Sequence, residues 1–194
     1  MSLPQMLPFA KRLMGDSLSI GDTAIDATAG NGHDTLFLAS LVGESGKVYS
    51  FDIQETAINN THERLEKEQV TDRVTLIHDS HDKIEQYCKG NRPKAAIFNL
   101  GYLPGSNKEV TTTGHTTVKA IQQLLTLMPL KGTIVLVVYH GHEEGKQEKD
   151  QLLAYIRNLS HEHVLVAKYE FMNHKNDAPF IIALEKRREG DFYE

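Results

Sequence analysis

Short β-rich runs alternate with amphipathic stretches along most of this chain, and that alternation constrains the fold more than any other feature. Runs rich in Val, Ile, Leu and aromatic residues fall at 23–27, 47–52, 74–78, 95–99, 133–139, 164–171 and 180–186. Between them, 34–41, 55–69, 117–128 and 146–159 repeat apolar residues at three- and four-residue spacing, the mark of one buried helix face. Strands and helices in alternation predict an α/β fold with a mostly parallel, seven-stranded sheet covered by helices. The last two runs are joined by a polar segment with no room for a helix, so they are expected to pair as an antiparallel hairpin at the sheet edge. The 194 residues contain no internal repeat, low-complexity tract or Pro/Gly/Ser-rich linker, and a single domain over 1–194 is expected.

The first run leads directly into Asp26-Ala27-Thr28-Ala29-Gly30-Asn31-Gly32-His33-Asp34-Thr35 and then into a helix. Small residues and glycines at a strand-to-helix turn admit a ligand to the backbone, and the helix N-terminus offers unpaired N–H groups. A bare Gly-x-Gly is equally an ordinary tight turn; the acids around it favour a ligand. Asp52, in Phe51-Asp52-Ile53-Gln54 at the end of the second run, lies about twenty residues beyond the glycines, where a carboxylate accepts hydrogen bonds from the ribose hydroxyls of an adenosine. The Gly-x-Gly-x-x-Gly of pyrophosphate dinucleotide sites is broken at Thr35. Asp26 repels a pyrophosphate but suits the ammonium of an amino-acid moiety, and S-adenosyl-L-methionine has such a group. The third run delivers Asp79-Ser80-His81, where Asp79 or Ser80 is placed for the adenine amino group; solvated polar residues at a strand end are the alternative.

After the fourth run stands Asn99-Leu100-Gly101-Tyr102-Leu103-Pro104. With glycine loop, ribose acid, adenine-edge acid and terminal hairpin in this order, nearly the whole chain resembles class I S-adenosylmethionine-dependent methyltransferases, which implies their Rossmann-like fold. More narrowly, 26–35 together with 99–104 resembles a small bacterial family long labelled putative rRNA methylases, whose members are associated with methylating the 5-aminomethyl group of the wobble uridine in tRNA. The resemblance implies that 5-aminomethyl-2-thiouridine becomes 5-methylaminomethyl-2-thiouridine without a metal. It also implies methionine-end contacts from Asp26, Asn31, Gly32 and Asp34, in a loop that includes Thr28, Gly30 and Thr35. Asp52 and Gln54 take the ribose; Asp79, Ser80 and His81 take the adenine. The Asn99–Tyr102 segment is similar to the Asn/Asp-Pro-Pro-Tyr/Phe motif of amino-group methyltransferases. There the first side chain and the next carbonyl, here that of Leu100, accept hydrogen bonds from the acceptor nitrogen, and the aromatic stacks on its base. Both prolines are missing, which leaves the carbonyl less rigidly aimed. Two acceptors nevertheless orient an amine lone pair toward the sulfonium methyl. The bland alternative is that Asn99 caps a turn and Tyr102 packs on the surface.

Ten histidines invite a metal reading, but the pairs at 78/81, 140/142 and 161/163 lack zinc-site spacing. The single Cys88 excludes an internal disulfide framework and a Cys-rich zinc site. His140, just past the fifth run, is a candidate base for a protonated aminomethyl group, with a structural or RNA-contacting role as its alternative. The 104–115 segment is long and polar for a connection; Lys108 and the threonines at 111–113 offer phosphate contacts there, and His115 ends it. Lys175 in the last hairpin and the Lys-Arg-Arg at 186–188 are further candidates for RNA. With 21 Lys and Arg against 26 Asp and Glu, a net charge of -5, the chain has no global attraction for nucleic acid, so contact with a tRNA anticodon region must use a local patch. A homodimer is compatible with this reading. The apolar run at 134–139 is far below the roughly 18 residues of a membrane span, and the N-terminus lacks the basic-then-apolar order of a secretory signal. A cytoplasmic protein is expected. Three other functions stay open: a small-molecule N- or O-methyltransferase, favoured by the acidity; a nicotinamide-dependent oxidoreductase with a degenerate glycine loop; and a non-catalytic RNA-binding protein.

Overall fold

In the computed structural model, which describes residues 2–101, 113–141, 143–175 and 177–193, the expected alternation becomes one seven-stranded sheet. In chain order the elements are α1 (Met6–Ser17), β1 (Thr23–Asp26), α2 (His33–Val42), β2 (Lys47–Asp52), α3 (Glu55–Lys67), β3 (Val74–His78), α4 (Ile84–Tyr87), β4 (Ala95–Leu100), α5 (Gly114–Leu127), β5 (Thr133–Val138), α6 (Glu143–Ile156), β6 (Val164–Tyr169) and β7 (Phe180–Lys186). The strand order is β3-β2-β1-β4-β5-β7-β6. The pairs among β1 to β5 are parallel, and β7 runs antiparallel to both β5 and β6. The terminal hairpin therefore closes the sheet edge as expected.

Period-two alternation in the central strands divides the core into two layers. Ala96, Phe98 and Leu100 of β4, with Ile134, Leu136 and Val138 of β5, face Ile121 and Leu124 of α5 and Leu152 of α6. Their neighbours Ala95, Ile97, Val135 and Val137 face the other way, onto Met14 of α1 and Leu38 of α2. Fully burying side chains of this size contributes about 1.5–3 kcal/mol each, so the strands that carry the site are anchored in the core. The strand order reverses between β1 and β4, each having its sequence neighbour on its outer side. Such a switch point opens a crevice at the carboxyl ends of the strands.

Helix α1 is absent from the sequence expectation. Its buried residues Met6, Ala10 and Met14 recur every four positions, but Leu7, Phe9 and Leu13 beside them are apolar too, so no single face stands out in the sequence. Pro8 lies in the first turn, where its missing N–H leaves no hydrogen bond unmade. Helix α5 starts three residues before the expected 117, because Thr113 and Thr116 form a reciprocal capping box. Among the described residues no helix is long and apolar enough to cross a membrane. In the basic 186–188 segment only Lys186 is buried, and Arg187 and Arg188 stay exposed. Lys186 is fully buried, 2.6 Å from Glu189, while Arg187 pairs with Glu185 and Arg188 with Glu162.

Candidate functional site

The carboxyl ends of β1, β2, β4 and β5 border a cavity of about 1300 Å³, above the 300–1,000 Å³ usual for one small-molecule site. The glycine loop forms its floor and is pinned from two sides. Ala29 N–H donates to the Phe51 carbonyl at 2.8 Å, and Gly30 N–H donates to Asp52 Oδ2 at 2.9 Å. From α3, Thr61 Oγ1 donates to the Gly30 carbonyl and Arg64 Nε to that of Asn31, at 3.2 and 2.6 Å. Gly32, at φ 76°, caps α2, and a Cβ there would fall 2.9 Å from the Thr61 Cα. Glycine is required both by the left-handed backbone and by the approach of α3.

Asp26 is placed differently from expectation. Its side chain is fully buried beneath the loop and does not line the cavity. Oδ1 accepts from Thr28 N–H at 3.1 Å, and Oδ2 accepts from Thr35 Oγ1 at 2.6 Å, with Ser50 Oγ a further 2.7 Å from that hydroxyl. Burial foremost, then the nearby Asp34 carboxylate, pushes the Asp26 carboxyl up to about 7. Asp26 and Thr35 thus brace the loop from behind, and the carboxyl expected to face the amino-acid ammonium is turned away from the cavity.

Thr28, Gly30, Asn31, Asp34, Asp52, Gln54, Asp79, Ser80 and His81 all line the cavity. Asp52 also accepts from Gln54 N–H at 2.9 Å, so each of its oxygens holds one backbone donor and keeps lone-pair capacity for another. Asp79 accepts from Ser80 N–H and Lys83 Nζ at 2.8 and 2.7 Å, and from Tyr87 Oη at 2.8 Å. The Lys83 ammonium foremost holds its carboxyl below the usual carboxylate range. His81 is buried, its Nδ1 is 3.1 Å from the Ala27 carbonyl, and desolvation lowers its pKa. The ring is therefore neutral, with its proton on Nδ1 facing that acceptor.

At the switch point the acceptor-side residues join the loop. Asn99 N–H donates to Thr28 Oγ1 at 2.8 Å, and its Nδ2 donates to Asp34 Oδ2 at 2.6 Å. Asp34 Oδ1 in turn lies 3.8 Å from Lys11 Nζ on α1. With the amide nitrogen held by a carboxylate, Oδ1 is the Asn99 atom that remains to accept a hydrogen bond. Leu100, Gly101 and His140 line the same cavity. His140 is buried, its ring edge packs on Phe180, and Nδ1 has no partner among the described residues. Tyr102 and Lys108 lie outside the described residues, as does 104–112 of the long segment. His115 and Lys175 are exposed and do not line the cavity, whereas their near neighbours Thr113, Thr116 and Asp177 do. The sequence reading also missed Leu7, Pro8 and Lys11, which α1 brings to the cavity, and Tyr139. Only the four-residue spacing of α1 could have signalled the first three.

The described residues contain no cluster of three or more His, Cys, Asp or Glu able to hold a metal ion. Burial pushes the Cys88 thiol up to about 12, which keeps it out of nucleophilic chemistry. The site's carboxylates, with few cations facing them, suit a positively charged ligand better than a pyrophosphate.

The family described as "Putative rRNA methylase" matches residues 48–185 of the chain. A chloroplastic tRNA (mnm(5)s(2)U34)-methyltransferase from Arabidopsis thaliana is 36% identical over 176 residues, 86% of this chain and 64% of that protein. The chain thus spans just under two thirds of that relative's length. A putative rRNA-methylase from Clostridium thermocellum superposes with a TM-score of 0.92 at 38% identity, covering 96% of this chain and 100% of the other. A putative methyltransferase from Streptococcus mutans, solved in complex with SAH, gives a TM-score of 0.87 at 37% identity over 95% and 99% of the two chains. The fold is that of the Rossmann-like methyltransferases.

Proposed function

The chain belongs to the family described as "Putative rRNA methylase", and from that premise we propose that it methylates an amine on a tRNA base, with S-adenosyl-L-methionine as donor. The proposed target is 5-aminomethyl-2-thiouridine at the wobble position and the product 5-methylaminomethyl-2-thiouridine, in keeping with the activity for which the Arabidopsis thaliana relative is named. The whole of 1–194 acts as one methyltransferase domain, in the cytoplasm, on the anticodon region of tRNA. A homodimer is compatible with this role.

The cavity fits the cofactor. Asp52 and Gln54 take the ribose, Ser80 and the remaining capacity of Asp79 take the adenine edge beside His81, and the Asn31–Asp34 turn takes the amino-acid end at the start of α2. Asp26 and Thr35 shape that turn from below. When bound, S-adenosyl-L-methionine supplies a sulfonium methyl for in-line transfer.

The observation that carries the reading is the Asn99 amide, fixed by Asp34 at 2.6 Å on the wall between glycine loop and β5. Its Oδ1 and the Leu100 carbonyl accept N–H bonds from the acceptor amine and so aim the lone pair. Tyr102 stacks on the base, as unpaired RNA bases commonly do on aromatic side chains, and His140 takes the proton the ammonium must lose. His115 and Lys175 contact the RNA outside the cavity, and Lys108 supplies a further phosphate contact.

The test is methylation by the purified protein of tRNA carrying the aminomethyl nucleoside, compared with the free nucleoside. The proposal expects turnover on tRNA that falls with added salt, because phosphate contacts release counterions. Equal, salt-insensitive turnover on the free nucleoside would favour the small-molecule reading. Binding of NAD rather than S-adenosylhomocysteine would favour the oxidoreductase.

A further inference from the structure

The cavity is acidic, with Asp34, Asp52, Asp79 and Asp177 on its walls, yet the cofactor that fits it brings a carboxylate of its own. An anion set among carboxylates is repelled unless a cation stands beside it. Among the described residues that line the cavity, Lys11 is the one lysine or arginine. Helix α1 fixes its place. Met6, Ala10 and Met14 bury one face of α1 in the core, and Leu7, Pro8 and Lys11, at three- and four-residue spacing, lay a second face along the cavity. The Lys11 side chain is 40% exposed, with Nζ 3.8 Å from Asp34 Oδ1 and 5.1 Å from the centre of the Phe37 ring on α2. The first is an ion-pair separation, too long for a hydrogen bond. The ammonium therefore has no hydrogen-bond acceptor among the described residues, and its three N–H donors stay open.

Asp34 offers the opposite charge. Its Oδ2 accepts from Asn99 Nδ2 at 2.6 Å, while Oδ1 meets Lys11 at ion-pair distance only. An ammonium and a carboxylate thus stand side by side in the first turn of α2, where the glycine loop passes into the helix. An α-amino-acid group carries both charges on one carbon. It meets such a pair with the signs reversed, its ammonium toward Asp34 and its carboxylate toward Lys11, so that four charges alternate. Arg64, the other cation at the loop, does not serve this end. Its Nε donates to the Asn31 carbonyl at 2.6 Å, its Nη2 lies 3.2 Å from Nε2 of His33, and it does not line the cavity.

We propose that Lys11 is a specificity-determining residue for the cofactor: its ammonium holds the carboxylate of the amino-acid end and, with Asp34, selects a zwitterion over an adenosine derivative that lacks one. This role rests on the proposed placement of the cofactor and deepens it, because α1 then completes a site that the strand ends and the glycine loop leave without a cation.

Calorimetry on the intact protein with S-adenosylhomocysteine, its decarboxylated analogue and 5′-methylthioadenosine tests this. The second ligand keeps the amine and lacks the carboxylate; the third lacks both. Lys11→Met should weaken S-adenosylhomocysteine by about tenfold, the effect of a charged hydrogen bond reduced by partial exposure, and leave the other two unchanged. Lys11→Arg should recover most of the loss, since it restores a cation of similar reach. Unchanged 5′-methylthioadenosine binding is also the check that the variant folds. Equal weakening of all three ligands, which lost packing of α1 would give, would overturn the proposal. So would unchanged S-adenosylhomocysteine affinity together with weaker tRNA binding, which would make Lys11 a phosphate contact. Asp52→Ala tests the placement separately: the ribose is common to all three ligands, so all three should weaken. If none does, that placement fails, while the loss of discrimination in Lys11→Met still reports on the carboxylate.

Discussion

Replacing Asp26 by Asn tests how the glycine loop is held. The Asp26 carboxyl is pushed from 3.8 to about 7 by burial and by Asp34, against the lowering bonds from Thr35 and Thr28. At about 1.4 kcal/mol per pH unit, ionised Asp26 costs the folded state on the order of 4 kcal/mol. Because the folded value lies above the unfolded one, this contribution to stability is fully present below about pH 3.8 and is lost as pH rises toward 7. An asparagine side chain at this position keeps an acceptor for Thr28 N–H and places a donor at the Thr35 hydroxyl, which can then turn its own proton to Ser50. It carries no charge at any pH. Urea unfolding of both proteins from about pH 5 to 8, at constant ionic strength, should therefore show Asp26→Asn gaining on the parent by about 3 kcal/mol across that range. Parallel pH profiles would refute the buried, proton-holding carboxyl and with it this explanation of the loop.

Asp52→Ala should weaken S-adenosylhomocysteine binding, read by calorimetry, because it removes ribose hydrogen bonds to a charged group worth about 1.5–3 kcal/mol each; it also frees Gly30 N–H, now bonded at 2.9 Å. Asn99→Ala should lower kcat on tRNA far more than cofactor affinity, since Oδ1 serves the acceptor amine; equal losses would put Asn99 in the cofactor site instead. Gly32→Ala should lower both Tm and cofactor affinity, because its Cβ falls 2.9 Å from Thr61 Cα at a φ of 76°, and backbone strain of that kind costs about 1–3 kcal/mol.

The fold was legible where the signal was local and repeated. The strands at 47–52, 74–78 and 180–186 match the observed bounds because β-rich runs there end in clear polar breaks, and the hairpin follows from the absence of room for a helix. Helix α1 was not legible, since its buried stripe of Met6, Ala10 and Met14 carries little apolar contrast. In the site, the cavity residues at the strand ends follow from topology, because parallel strands bring their carboxyl ends together. Asp26 was misplaced for a physical reason: sequence puts an acid beside the loop, but only packing decides which side of the backbone it occupies. Asp177, which lines the cavity, gave no signal, since its loop reads as polar connection.

The most direct test of the functional account is mass spectrometry of tRNA nucleosides from cells lacking this protein, with and without the gene restored. The account predicts loss of 5-methylaminomethyl-2-thiouridine with accumulation of its 5-aminomethyl precursor, and recovery with the parent but not with Asn99→Ala. An unchanged nucleoside profile, or loss of a methyl group on any other nucleoside alone, would contradict it.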